Sequence, residues 1–84
     1  MGRKPKSEEL VYSRLEEWRT AKGLSRNELA DEVGVHYQTI GYLERGEYNP
    51  SLPLALRIAA LIEVPVEQLF SLAPFTGSQK EERS

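Results

Sequence analysis

An all-α domain of five short helices is the fold class this sequence predicts, and three observations predict it. Apolar residues recur at three- and four-residue spacing through the middle of the chain, at Leu15 and Trp18, then Leu29, Ala30 and Val33, then Ile40 and Leu43. Helix-start residues stand ahead of these stretches, at Ser13, Ser25 and Ser51, the first two with Glu16 or Glu28 three positions later. Breakers close them, at Gly23, Gly34, Gly46, Asn49-Pro50 and Val64-Pro65. With 84 residues there is material for one domain and a modest core. We divide it into a flexible basic arm over 1–9, a domain over 10–75 and a disordered polar tail over 76–84.

The arm carries Arg3, Lys4 and Lys6, and is either a solvated tail or a segment that touches DNA backbone or minor groove. Leu10-Val11-Tyr12 is a short apolar run with β preference. The first helix then starts near Arg14, with Ser13 and Glu16 as a capping box; a start at Ser7 is the alternative. Leu15, Trp18 and Ala21 lie near one face, and Gly23 ends the helix. Ser25 and Glu28 form the capping box of the second helix, and Gly34 supplies a left-handed stop. The third helix starts at His36, a weaker cap than Ser or Thr, and turns Ile40 and Leu43 inward. That leaves Tyr37, Gln38, Gly41, Tyr42 and Arg45 outward, a face without an acidic residue, while Glu44 points back toward the first helix. A helix, a short turn containing Gly and a second helix is the form of a helix-turn-helix, whose second helix can enter the DNA major groove.

The fourth helix begins at Ser51, with Pro53 tolerated in its first turn. It is apolar nearly all round apart from Arg57, so Leu54, Ile58 and Leu61 could face a partner subunit. Residues 66–70 form the fifth helix, with Leu69 and Phe70 inward. The apolar segment 71–75, containing Leu72 and Phe75, could be a short strand paired with 10–12.

Several function classes drop out. No apolar run is long enough to cross a membrane, and the basic start has no apolar segment behind it, so it is not a signal peptide. There is no cysteine, and one histidine argues against a zinc site. These features favour a cytoplasmic protein without metal or cofactor, and no small-molecule ligand is evident. Catalytic residues are not found: the pairs Glu8-Glu9, Glu16-Glu17 and Glu81-Glu82 are adjacent and point apart on a helix. No phosphate-cradling glycine loop is present. The net charge of −2 argues for weak non-specific affinity for nucleic acid, which depends on Lys and Arg meeting phosphates.

Gly23-Leu24-Ser25, Glu28-Leu29-Ala30, Gly34-Val35, Gln38-Thr39-Ile40, Leu43-Glu44-Arg45-Gly46, Asn49-Pro50-Ser51-Leu52 and the run from Val64 to Phe70 together carry a resemblance. The sequence resembles the lambda-repressor-like, Cro/CI-type helix-turn-helix domains, the XRE family of bacterial and phage regulators, over residues 13–70. The resemblance implies a structural ion pair between Arg19 and Glu44, and a phosphate contact by Arg26, where relatives usually have Gln. It implies DNA contacts from the third helix and its ends, here His36, Tyr37, Gln38, Thr39, Gly41, Tyr42 and Arg45. Relatives often have Ser or Thr at His36, a basic residue at Tyr37, and Ser or Lys at Gly41 and Tyr42. This face is therefore more aromatic and less cationic than usual, and Tyr37 and Tyr42 could serve a protein surface. Compact members often dimerise through the fifth helix and the segment after it, which gives Leu54, Ile58, Leu61, Phe70, Leu72 and Phe75 as the expected dimer interface. The implied function is a sequence-specific DNA-binding transcriptional regulator, a repressor reading a pseudo-palindromic operator in double-stranded DNA as a homodimer. The alternative is a protein-interaction module, antitoxin-like or regulator-binding, on the same fold.

Overall fold

Among the described residues, each α-helix begins where a side chain accepts from one of its first free N–H groups. The structure is a computed structural model and describes residues 9–75. The expected arm, apart from Glu9, and the expected tail lie outside the described residues, as does Ser7; a helix continuing from Ser7 is not found over 9–14, where Tyr12–Ser13 is β1. The elements in order are β1 (Tyr12–Ser13), α1 (Leu15–Ala21), α2 (Arg26–Val33), α3 (Tyr37–Glu44), α4 (Leu52–Ile62), a 3-10 helix at Val66–Gln68, and β2 (Phe70–Ser71).

The best-capped helix is α2. Ser25 Oγ accepts from Glu28 N at 3.0 Å, and the Glu28 carboxylate accepts from Ser25 N at 2.8 Å. Gly34 closes it in the left-handed conformation at φ 81°. Ser51 Oγ accepts from Leu54 N at 3.2 Å to start α4. For α3 the cap is His36, whose Nδ1 accepts from Gln38 N at 3.1 Å. The box expected at Ser13 and Glu16 does not form. Ser13 belongs to β1, its hydroxyl accepts from Leu15 N at 3.2 Å, and Arg14 becomes the N-cap without a side-chain bond.

The core gathers Leu15, Leu29, Ala30, Val33, Ile40, Leu43, Leu54, Ile58, Ala59, Ile62 and Leu69, with Trp18, Val35 and Phe70 packed at its margin. Burial of this set is the main stabilising term, about 1.5–3 kcal/mol for each large aliphatic side chain. It decides which way α4 turns. Leu54, Ala55, Ile58, Ala59 and Ile62 face inward. Leu54 and Ile58, expected at a partner, are thus filled by their own core, Ile58 with no exposed surface at all. The large exposed apolar side chains of α4 are Leu52, Leu56 and Leu61. Of the other residues expected there, Leu72 is exposed, and Phe70 and Phe75 are half-buried.

The fifth α-helix is corrected to a single 3-10 turn, so the described residues hold four α-helices. Gln68 N donates to Pro65 O at 2.9 Å and Leu69 N to Val66 O at 2.9 Å, both three-residue bonds. Only three residues separate Pro65 from Leu69, which is fully buried, and Phe70 is already extended against Ser13. Leu69 N, which would close an α-turn on Pro65 O, donates to Val66 O instead, so the turn stays 3-10.

The strand pair exists in a different register. Tyr12 lies opposite Ser71 and Ser13 opposite Phe70, antiparallel. The backbone just before it is taken by Asn49: Val11 N donates to Asn49 Oδ1 at 3.0 Å, and Asn49 Nδ2 donates to Glu9 O at 2.9 Å. On the other side Pro74 has no N–H to offer a ladder.

Candidate nucleic-acid interface

A glycine turn sets α3 against α2. Val35 N, one residue past the left-handed Gly34, donates to Ala30 O at 3.0 Å, and His36 then starts α3. Ile40 and Leu43 are buried against α2, which fixes the rotation of α3 about its own axis. Tyr37, Gln38, Tyr42 and Arg45 are exposed, His36 is exposed at the cap, and Thr39 is half-buried. The His36 and Tyr37 rings stack with centroids 4.8 Å apart.

Gly41 departs from the expected outward position and is buried. Arg45 covers it: its Nη1 lies 3.2 Å from where a Cβ on Gly41 would stand. The same guanidinium sits 5.2 Å from the Tyr42 ring centroid, and its Nε donates to Glu47 at 3.2 Å. Glycine at 41 lets the side chain of Arg45, the C-cap of α3, fold back along the helix surface.

Beneath this face lies a triad. Glu44, with 1% of its side chain exposed, accepts from Arg19 Nε and, at 2.9 Å, from Arg26 Nε. Arg19 Nη1 donates to Leu24 O at 2.8 Å. Arg26 therefore does not stand free at the start of α2. Its pKa is raised above the usual arginine value, by the hydrogen bond to Glu44 first and by that carboxylate's charge second. It also joins Tyr37, Gln38, Gly41, Tyr42 and Arg45 around an open cleft of about 170 Å³. The cleft has a guanidinium from α2, another from the end of α3, two phenols and an amide, and no carboxylate in its lining. Such groups can bond phosphate oxygens and the edges of bases.

The sequence places Tyr37, Gln38, Tyr42 and Arg45 outward, as they are, but does not display two tertiary contacts. The bond from Arg26 to Glu44 joins residues 18 positions apart, and no local pattern signals it. Asn49 reads as half of an Asn-Pro breaker, yet its amide holds the chain segment that enters β1. Among the described residues no cluster of His, Cys, Asp and Glu could hold a metal, and no helix is long and apolar enough to cross a membrane.

Comparison with known proteins gives a consistent result. Residues 15–69 match the family described as Helix-turn-helix. An uncharacterized HTH-type transcriptional regulator of Archaeoglobus fulgidus is 47% identical over 60 residues, covering 71% of this chain and 86% of that protein. Among solved structures, the restriction-modification controller protein C.AhdI of Aeromonas hydrophila superposes with a TM-score of 0.62 at 42% identity, over 68% of this chain and 86% of that one. SinR, a master regulator for biofilm formation solved in complex with DNA, gives a TM-score of 0.59 at 33% identity, over 64% of this chain and 87% of that one.

Proposed function

The chain belongs to the XRE-type helix-turn-helix family of transcriptional regulators, and on that premise we propose that it is a repressor that reads a pseudo-palindromic operator in double-stranded DNA as a homodimer. The observation that carries this reading is the carboxylate-free cleft face of α3, where an amide, two phenols and two guanidinia converge. A helix presenting Gln38 to the major groove offers a bidentate partner for adenine. Tyr37 and Tyr42 offer hydroxyls to phosphates or ring edges to thymine methyls, and Arg26 and Arg45, which line the same cleft, supply positive charge. Thr39, half-buried, and His36, at the helix start, sit at its margin.

The homodimer rests on apolar surface that the fold leaves uncovered. Leu52 and Leu72 are 69% and 70% exposed, and Leu56 is 50% exposed. A two-fold dimer places its recognition helices on half-sites about 34 Å apart, one turn of B-DNA.

The test is selection from a random duplex pool with the full chain, followed by a salt titration on the enriched sequence. The expected outcome is a pseudo-palindrome whose affinity falls steeply as salt rises. No enriched sequence, with weak binding throughout, would move the function of the α3 face to a protein partner.

A further inference from the structure

Two guanidinia converge on one buried carboxylate, and their charges are not equally used. Arg19 is inside the protein, with 10% of its side chain exposed, and its donors go to Glu44 and Leu24 O. It neutralises Glu44 by itself. The triad therefore carries one surplus positive charge, and that charge sits on its exposed member, Arg26, with 43% of its side chain exposed. Glu44 engages Arg26 only through Nε. The two Nη groups of Arg26 have no hydrogen-bond partner among the described residues, and the side chain lines the cleft beside Tyr37 and Gln38. A guanidinium held at Nε still offers the parallel N–H bonds of its far end, the fork that fits two phosphate oxygens.

From this geometry we infer that Glu44 is a positioning residue for DNA-backbone binding: it holds Arg26 by Nε and presents the Nη edge to one phosphate beside the groove that α3 enters. The inference rests on the DNA-binding reading above. It explains a local cost. A cation in the first turn of α2 opposes the helix dipole, and Glu44 offsets that opposition in the free protein while a phosphate adds to the offset in the complex. It also ties the backbone contact to the recognition helix itself, because Glu44 is the last residue of α3. A shift of α3 relative to α2 would move base contacts and phosphate contact together.

The assignment separates arginine from lysine. An ammonium keeps the charge but cannot bond Glu44 and a phosphate in one fixed fork. The experiment measures operator affinity and its salt dependence for the full chain, Arg26→Lys, Arg26→Ala, Glu44→Gln and the double variant Glu44→Gln/Arg26→Ala. Thermal unfolding of each provides the stability readout. Arg26→Lys is expected to keep the salt slope and lose about tenfold in affinity per protomer, about a hundredfold for the proposed homodimer, the scale of one charge-assisted hydrogen bond on each half-site. Arg26→Ala is expected to reduce the slope by about 0.9 for each protomer bound, about 1.8 for the proposed homodimer, one phosphate contact per protomer. Glu44→Gln is expected to weaken binding in the wild-type background and to have no further effect on binding once Arg26 is Ala. Wild-type affinity in Arg26→Lys, or strictly additive losses in the double variant, would overturn the inference while leaving the DNA-binding reading in place. Should Glu44→Gln fail to fold, Glu44→Asp takes its place in the same cycle with Arg26→Ala: it keeps the charge beside Arg19 while shortening the side chain that holds Arg26, and losses additive with Arg26→Ala overturn the inference. A wild-type chain that selects no duplex overturns both readings.

Discussion

At the scale of single residues, Arg19 and Glu44 show how much a buried charge depends on its partner. The carboxylate of Glu44 lies almost wholly out of water, and Arg19 Nε meets it there. Such a pair adds little over an apolar replacement of the same volume, but losing one member leaves the other buried and uncompensated. We expect Arg19→Ala to lower unfolding free energy by about 3–5 kcal/mol, read from urea denaturation. A loss below about 1 kcal/mol would mean that Arg26 takes over the neutralisation of Glu44. Gly41 teaches a different lesson. It is buried without belonging to the core, because the side chain that covers it, Arg45, comes from its own helix.

At the scale of elements, each helix end has a physical author. The Ser25 and Glu28 box is legible in the sequence because its two bonds span three residues. The end of α4 is not. Its cap is Glu63 at φ 69°, the only non-glycine residue in the left-handed region among the described residues. Its N–H donates to Ala59 O at 2.7 Å, and Val64 N reaches the same carbonyl at 3.2 Å. A left-handed L-residue costs about 1–2 kcal/mol. Glycine removes that cost but adds freedom to the unfolded chain. We expect Glu63→Gly to stabilise the domain by about 0.5–1 kcal/mol, a rise in Tm of several degrees. An unchanged or lower Tm would show that the Glu63 side chain supports the fold in a way its backbone angle does not reveal. The fifth helix is the complementary case. Its apolar spacing is helical in sequence, but Pro65 and the pull of Leu69 into the core leave space for one 3-10 turn.

At the scale of the whole molecule, the core settles which surface is left for a partner. Helix α4 reads as apolar on every side, and its inward face is chosen by packing against α2 and the 3-10 helix. Leu54 and Ile58 go in, while Leu52, Leu56 and Leu61 stay out. If the proposed homodimer uses this face, Leu56→Glu should place like charges across the two-fold axis and leave the fold intact, since Leu56 is half exposed. Sedimentation equilibrium should then report a monomer, with operator affinity reduced. A dimer that survives the change would move the contact to the segment around Leu72.

The sequence by itself determined the helix starts at Ser25 and Ser51, the turn at Gly34 and the acid-free outward run on α3. The capping and turn interactions act over three or four residues, and a sequence displays that distance directly. It also determined the family, through motifs spread over residues 13–70. Tertiary structure decided the rest: the Arg26 bond to Glu44, the burial of Gly41 beneath Arg45, the register of Tyr12 against Ser71 and the outward face of α4. Most of these depend on groups far apart in the chain, placed by the packing of one core. The exception is Gly41, where the covering side chain is only four residues away and the rotamer it adopts, not the spacing, makes the difference.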